Sequence, residues 1–267
     1  MSEQYVLETR NLVKEFKGFV AVDDVNLKIQ KGHIHALIGP NGAGKTTVFN
    51  LLTKFLIPTR GQILFNGNDI TALKSAAIAR KGVVRSFQIS AVFPHMTALE
   101  NIRVALQSFE GNSYSFWKSG ASLNRLNERC MDLLDQVGVA EYANTTTVEL
   151  AYGRKRALEL ATTLAMEPEL LLLDEPTQGM GAEDVDRVVE LVRKAAKGRT
   201  VLMVEHNLSV VSKLCDRITV LAQGAVLTEG DYDTVSADPR VREVYMGTDS
   251  SGERGSSSEA SEAEAAE

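Results

Sequence analysis

Apolar and polar residues alternate from Tyr5 to Phe16 and again from Asp24 to Gln30, with β-branched side chains among them, which predicts antiparallel strands in a small β-layer. At His33 the rhythm changes. His33-Ile-His-Ala-Leu-Ile-Gly39 is a short buried-strand run that ends in a glycine loop, and residues from Thr46 to Lys54 then recur at helical spacing. The unit is strand, loop, helix. A strand pair is expected around Asn66-Gly67, then a helix from about Ala72 to Lys81 and a strand from Val83 to Phe87.

Between Thr97 and Gly138 the spacing becomes helical. Thr97-Ala-Leu-Glu100 reads as a capping box, Leu123 to Val137 as a second helix, and Gly111 to Gly120 as a surface loop between them. Helix and strand then alternate through Gly153–Met166, Leu170–Asp174, Glu183–Lys197, Thr200–Glu205, Leu208–Cys215 and Arg217–Leu221, which implies a parallel sheet covered by helices. In the Glu183 helix, Val185, Val188, Val189, Val192 and Ala196 form one apolar stripe, which reads as core packing.

Composition removes several classes. The chain has 267 residues, 44% hydrophobic and 24% charged, which excludes collagen-like, coiled-coil and wholly disordered readings. Its longest uncharged stretch, Ser86 to Leu99, has 14 residues and contains Pro94, well short of the roughly 20 apolar residues of a membrane span. The first residues, Met-Ser-Glu-Gln-Tyr, lack a secretion-signal pattern, and Cys130 and Cys215 have no metal-ligand spacing, so a reducing cytoplasm is expected. Six acids against Arg254 lie between 248 and 267, so the rest of the chain carries only −1 of the net −6 charge. A near-neutral body gives no general electrostatic reason to bind nucleic acid, and the Ser/Gly/Ala/Glu stretch 248–267 is expected to be a disordered tail.

The first chemical constellation is Gly39-Pro40-Asn41-Gly42-Ala43-Gly44-Lys45-Thr46, followed by Thr47. Glycines let successive N–H groups form an anion nest, the helix that follows directs its positive end at phosphate, Lys45 adds a full charge, and the Thr46 hydroxyl can ligate Mg2+. The second is the apolar run Glu169-Leu-Leu-Leu-Leu-Asp174-Glu175-Pro176. Alternation along a strand sends Asp174 and Glu175 in different directions at the carboxyl edge of a sheet, so Asp174 can face magnesium through water while Glu175 polarises a water for attack on a γ-phosphate. Taken alone, the first could be a bland glycine turn and the second a buried strand ending in a solvated acidic turn.

With these residues in place the chain, from about Tyr5 to Gly247, resembles an ATP-binding-cassette ATPase. Val148-Glu149-Leu150-Ala151-Tyr152-Gly153-Arg154 stands where that family carries its signature Leu-Ser-Gly-Gly-Gln, Gln88 matches its Gln loop, and His206 its switch histidine. Phe16, 23 residues before Gly39, matches the aromatic that stacks on adenine. His33, His35 and His95 are left as capping or surface histidines. The resemblance implies an α/β fold: a P-loop NTPase with a mostly parallel core sheet, an N-terminal antiparallel β-layer and an inserted α-helical subdomain, about 89–165, within a cassette spanning 1–247.

It also implies ATP and Mg2+ as cofactors. Lys45, Gln88, Glu175 and His206 become the catalytic candidates; Thr46, Gln88 and Asp174 face the metal; Phe16, the loop from Gly39 to Thr47 and the signature Ala151, Tyr152 and Gly153 hold nucleotide. Three departures stand out: Ala151 replaces the signature serine, Arg154 its glutamine, and Gln178-Gly179-Met180-Gly181 stands where the family has Ser-Ala-Leu-Asp. Arg154 is expected to add positive charge near the γ-phosphate of a facing subunit.

Leu150-Ala151-Tyr152-Gly153 in the signature, Ser86-Phe87-Gln88 followed by the segment from Phe93 to Ile102, a lengthened helical region with Phe116-Trp117, and the ending Asp238-Pro239 to Tyr245-Met-Gly247 are similar to the longer ATPase of branched-chain amino acid importers. The implied partners are a second ATPase subunit, identical or different, two membrane permeases and, indirectly, a substrate-binding protein, with this chain peripheral on the cytoplasmic face of the plasma membrane. Urea-import and lipopolysaccharide-export ATPases share the pattern, and a non-transport cassette switch and a phosphotransfer kinase are the readings from other classes.

Overall fold

The computed structural model describes residues 4–86, 92–109 and 120–252. Its central sheet has six strands in the order β11-β10-β4-β9-β8-β7. Five of them, β4 (Ile34–Ile38), β7 (Val83–Ser86), β8 (Leu170–Asp174), β9 (Thr200–Val204) and β10 (Arg217–Ala222), run parallel; β11 (Ala225–Gly230) is antiparallel to β10. The apolar runs are continuous because both faces are covered. Leu171, Leu173, Val201 and Met203 face one core, shared with helices, while Leu170, Leu172, Leu202 and Val204 face the other, shared with the N-terminal strands.

That second layer is antiparallel: β2 (Phe19–Val25), β1 (Tyr5–Phe16), β5 (Arg60–Phe65) and β6 (Asn68–Asp69) in that order, with β3 (Lys28–Gln30) also on β1. Asp24 to Gln30, expected as one strand, is instead the end of β2 and all of β3. The reason is local. Lys17 and Gly18 both take left-handed φ, 47° and 90°, and turn the chain early, so β2 already begins at Phe19. At the later break the Thr9 hydroxyl donates to the Val25 carbonyl and accepts from the Leu27 N–H, each at 2.8 Å, replacing ladder bonds.

The helical subdomain is formed by α3 (Ala98–Phe109), α4 (Gly120–Gln136) and α5 (Tyr152–Leu164), packed through Ile102, Leu106, Cys130, Leu134 and Leu158. Deleting one such buried leucine side chain to alanine costs about 2–5 kcal/mol. The expected capping box is present: the Thr97 N–H donates to Glu100 Oε2 at 2.8 Å and the Glu100 N–H to Thr97 Oγ1 at 3.2 Å. Four valines of the predicted stripe are buried on α6 (Ala182–Ala195), and Ala196, just beyond it, is half-buried against the same core.

The alternation signal stopped at β10, so β11, α8 (Tyr232–Ala237) and α9 (Pro239–Gly252) were not foreseen. Residues 248–252, placed in the tail by composition, continue α9; those beyond 252, and 111–119 of the expected surface loop, lie outside the described residues, while Gly120, expected to close that loop, opens α4. His35 also departs from expectation, being fully buried on the central strand β4 rather than capping or exposed. No helix among the described residues is long and apolar enough to cross a membrane.

Candidate nucleotide site

The glycine loop leaves β4 and enters α1 (Lys45–Leu52) at the carboxyl edge of the sheet, beside the ends of β9 and β8. Its conformation excludes side chains at two points. Gly39 has φ 149°, and a Cβ there would lie 2.2 Å from the Leu221 carbonyl oxygen; Gly44, φ 100°, would bring one 2.6 Å from the Ala21 carbonyl oxygen. The loop is thus held between β10 on one side and β2 on the other. Asn41, Gly42 and Thr46 are exposed, Pro40 and Thr47 half-buried, and Ala43 buried, with its N–H on the Pro40 carbonyl at 3.2 Å.

Lys45 is buried, and its ammonium donates to the Gly39 carbonyl at 2.6 Å and the Pro40 carbonyl at 2.9 Å. Burial pushes its pKa below the ordinary lysine value, opposed by the charges of Glu175 and Asp174. Asp174, at the end of β8, is buried and paired with Arg85 Nη2, while Arg85 Nη1 donates to Asn50 Oδ1 at 2.8 Å on α1.

Asp174 and Glu175 do differ in exposure, 3% against 21% of the side chain. Strand alternation is not the whole cause. Glu175 lies beyond the strand with φ 45°, so a left-handed residue turns the chain there, its N–H still bonded to the Val204 carbonyl at 2.9 Å. Its Oε2 is 4.0 Å from His206 Nδ1, which follows β9. The sheet order therefore brings Lys45, Asp174, Glu175 and His206 into one place.

Phe16 is cross-strand to Phe19 at the tip of the β1–β2 hairpin, 40% exposed, with Lys14 Nζ 5.0 Å from its ring centroid. Ala21 of the same hairpin borders the glycine loop at Gly44. Gln88 lies outside the described residues. Ala151, Tyr152 and Gly153 are elsewhere: Ala151 is the N-cap of α5, without a side-chain cap bond, and all three line a hollow of about 570 Å3 with Gly138, Met180 and Arg187, none of them a phosphate-loop residue. Arg154 in that hollow places its guanidinium 3.9 Å from the Tyr142 ring centroid.

Three contributors escaped the sequence reading. Arg85 is a charge inside an apolar strand, and Glu205 a wholly buried carboxylate at the end of another; both anomalies were visible as charged residues in buried runs. Tyr245 of α9 packs on the helical core with its hydroxyl against the Gly39 amide, and burial pushes that phenol up to about 12. Nothing in its local pattern marks that contact.

An anion cradle with a buried lysine, two carboxylates of unequal exposure and a histidine at one sheet edge define a nucleotide-hydrolysing cassette. The chain belongs to the ABC transporter family, whose pattern matches residues 22–178; a second pattern, that of the branched-chain amino acid ATP-binding cassette transporter, matches 225–250. It is similar to the high-affinity branched-chain amino acid transport ATP-binding protein BraF of Pseudomonas aeruginosa, with 39% identity over 91% of this chain and 98% of the relative. LivG of Escherichia coli K12, named in the same words, is 38% identical over 91% and 98%. Among solved structures, the ADP conformation of the ABC transporter cassette MJ1267 matches with TM-score 0.80 and 30% identity over 91% of this chain and 99% of that one. A dimeric post-hydrolysis state of the cassette MJ0796, bound to ADP and Pi, matches with TM-score 0.70 and 25% identity over 85% and 98%.

Proposed function

We propose that this ATPase subunit powers uptake of branched-chain amino acids through separate permeases, and that ATP is split between its phosphate loop and the signature segment of a facing ATPase subunit. The observation that carries the reading is the division of the site. Lys45, Asp174, Glu175 and His206 converge at one sheet edge, whereas Ala151–Gly153 line a different hollow, so one chain supplies two incomplete halves. A second subunit placed head to tail completes both, in keeping with the dimeric MJ0796.

In this arrangement Phe16 stacks on adenine and the amides from Gly39 to Thr47, with Lys45, hold the phosphates. Loop geometry that admits no Cβ at Gly39 or Gly44, together with an exposed Thr46, fits a triphosphate and its metal. Mg2+ would be held by the Thr46 hydroxyl, Asp174 and Gln88, and supplies charge neutralisation on the transferring phosphate. Glu175 orients and polarises the attacking water, and His206 donates a hydrogen bond to the γ-phosphate oxygen. Because ATP contacts both subunits only when they close, its binding favours the closed dimer.

Movement passes to the permeases through an apolar groove of about 370 Å3 lined by Phe55, Ile78, Val84, Ala105 and Met166, shaped to receive a permease helix. That contact holds the chain on the cytoplasmic face of the membrane. The test is ATP turnover by the complete transporter in proteoliposomes with its binding protein. Leucine, isoleucine or valine should stimulate turnover and accumulate; stimulation by urea alone would overturn the assignment of substrate.

A further inference from the structure

Glu205 directly follows β9 and has no exposed surface, and its carboxylate is shared between two loops. Oε1 accepts from the Thr177 N–H at 3.1 Å and from the Thr177 hydroxyl. Oε2 accepts from the N–H groups of His206 at 3.0 Å and Asn207 at 3.1 Å. The Asn207 side chain in turn caps α7 (Leu208–Leu214) by accepting from the Ser209 N–H at 3.0 Å. Thr177 is two residues beyond Glu175, and His206 is the next residue after Glu205. One buried anion therefore ties the loop carrying Glu175 to the loop carrying His206.

We propose that Glu205 is a positioning residue for ATP hydrolysis: by accepting from both loops at once it sets the separation of Glu175 and His206 across the γ-phosphate. The inference rests on the roles given to those two side chains above. A buried carboxylate with four donors is charge-assisted on every bond and leaves neither loop an alternative partner. An amide cannot replace it, because Glu205→Gln turns one acceptor into an NH2 group facing protein donors. Misplacing reacting groups by about 1 Å can cost about a hundredfold in rate while ground-state binding survives.

The test is steady-state ATP hydrolysis by the full transporter complex. Glu205→Gln should lower kcat about tenfold or more while KM for ATP stays within about threefold. In a His206→Ala background the same change should cost a smaller factor in kcat than it does alone, because only Glu175 is left to be positioned; an undiminished factor would mean that Glu205 does not act on the pair. Thr177→Val, which keeps the carboxylate and removes one donor, should give a smaller fall in kcat with KM again unchanged. Wild-type kcat in Glu205→Gln overturns the proposal, as does a parallel loss of kcat, KM and melting temperature. If Glu205→Gln does not assemble, Thr177→Val decides: an unchanged kcat overturns the inference and a lowered one supports it. Glu175→Gln and His206→Ala measured alongside separate the two levels, since normal turnover in both removes the site assignment itself.

Discussion

Arg85 reaches from β7 to Asp174 at the end of β8 through Nη2, while its Nη1 holds Asn50 on α1. A single guanidinium thus joins the acid expected at the metal to the helix that follows the phosphate loop. Both partners of the ion pair are largely buried, with side-chain exposures of 11% and 3%. Arg85→Met should lower the unfolding free energy of the nucleotide-free protein by about 3 kcal/mol, because it leaves a buried carboxylate without its partner. Adding Asp174→Asn should recover part of the loss in urea unfolding; no recovery would mean that the guanidinium acts through Asn50 or through the Phe49 ring it also faces.

Glu175 stands apart from the buried pair, near His206 and accessible to water. Glu175→Gln should therefore leave nucleotide affinity near the wild-type value while turnover drops by about a hundredfold or more, the loss expected for a positioned base. Single-turnover hydrolysis with equilibrium ATP binding measures both. Near-normal turnover rejects the assignment.

Lys45 behaves oppositely, since its ammonium is held inside the loop by carbonyls of Gly39 and Pro40. Lys45→Ala removes charge-assisted hydrogen bonds to phosphate worth roughly 1.5–3 kcal/mol, so ATP and ADP affinity should fall by about ten- to a hundredfold. Isothermal titration with either nucleotide checks it.

Ala151 is the N-cap of α5 without a side-chain acceptor for the first turn. Ala151→Ser should stabilise the chain by about 1 kcal/mol through capping. It also returns a hydroxyl to the signature segment, so the KM for ATP of the assembled dimer should fall. A gain in stability with KM unmoved would show that the signature does not meet nucleotide through this residue.

His35 makes acid stability predictable. The Thr219 hydroxyl donates to Glu229 Oε2 at 2.7 Å, so it accepts from His35 Nε2–H, also at 2.7 Å, which leaves Nδ1 as the bare, buried nitrogen. Burial lowers the imidazole pKa to about 4, opposed by the Glu229 carboxylate. The folded value is depressed, so this contribution is intact above the unfolded value near 6.5 and is lost as pH falls through 4. Unfolding free energy should drop by about 3 kcal/mol between those limits, and His35→Gln should flatten that slope in urea titrations at successive pH values.

The sheet was legible because doubly covered strands must be apolar throughout, and β8 was predicted at its observed ends for that reason. The glycine loop was legible because a backbone cradle demands glycine at set places. Glu205 and Tyr245 were hidden for a different cause: their partners lie 28 and 206 residues away, and no periodicity records a contact across such a distance. The turn at Glu175 was likewise masked, since nothing in Asp-Glu-Pro announces a left-handed residue.

Tyr245 makes the last helix a backstop for the phosphate loop. Stopping translation ahead of that tyrosine would take away the hydroxyl that sits against the Gly39 amide. A truncation that removes Tyr245 is therefore also a change at the loop proposed to grip ATP, although the two lie at opposite ends of the sequence.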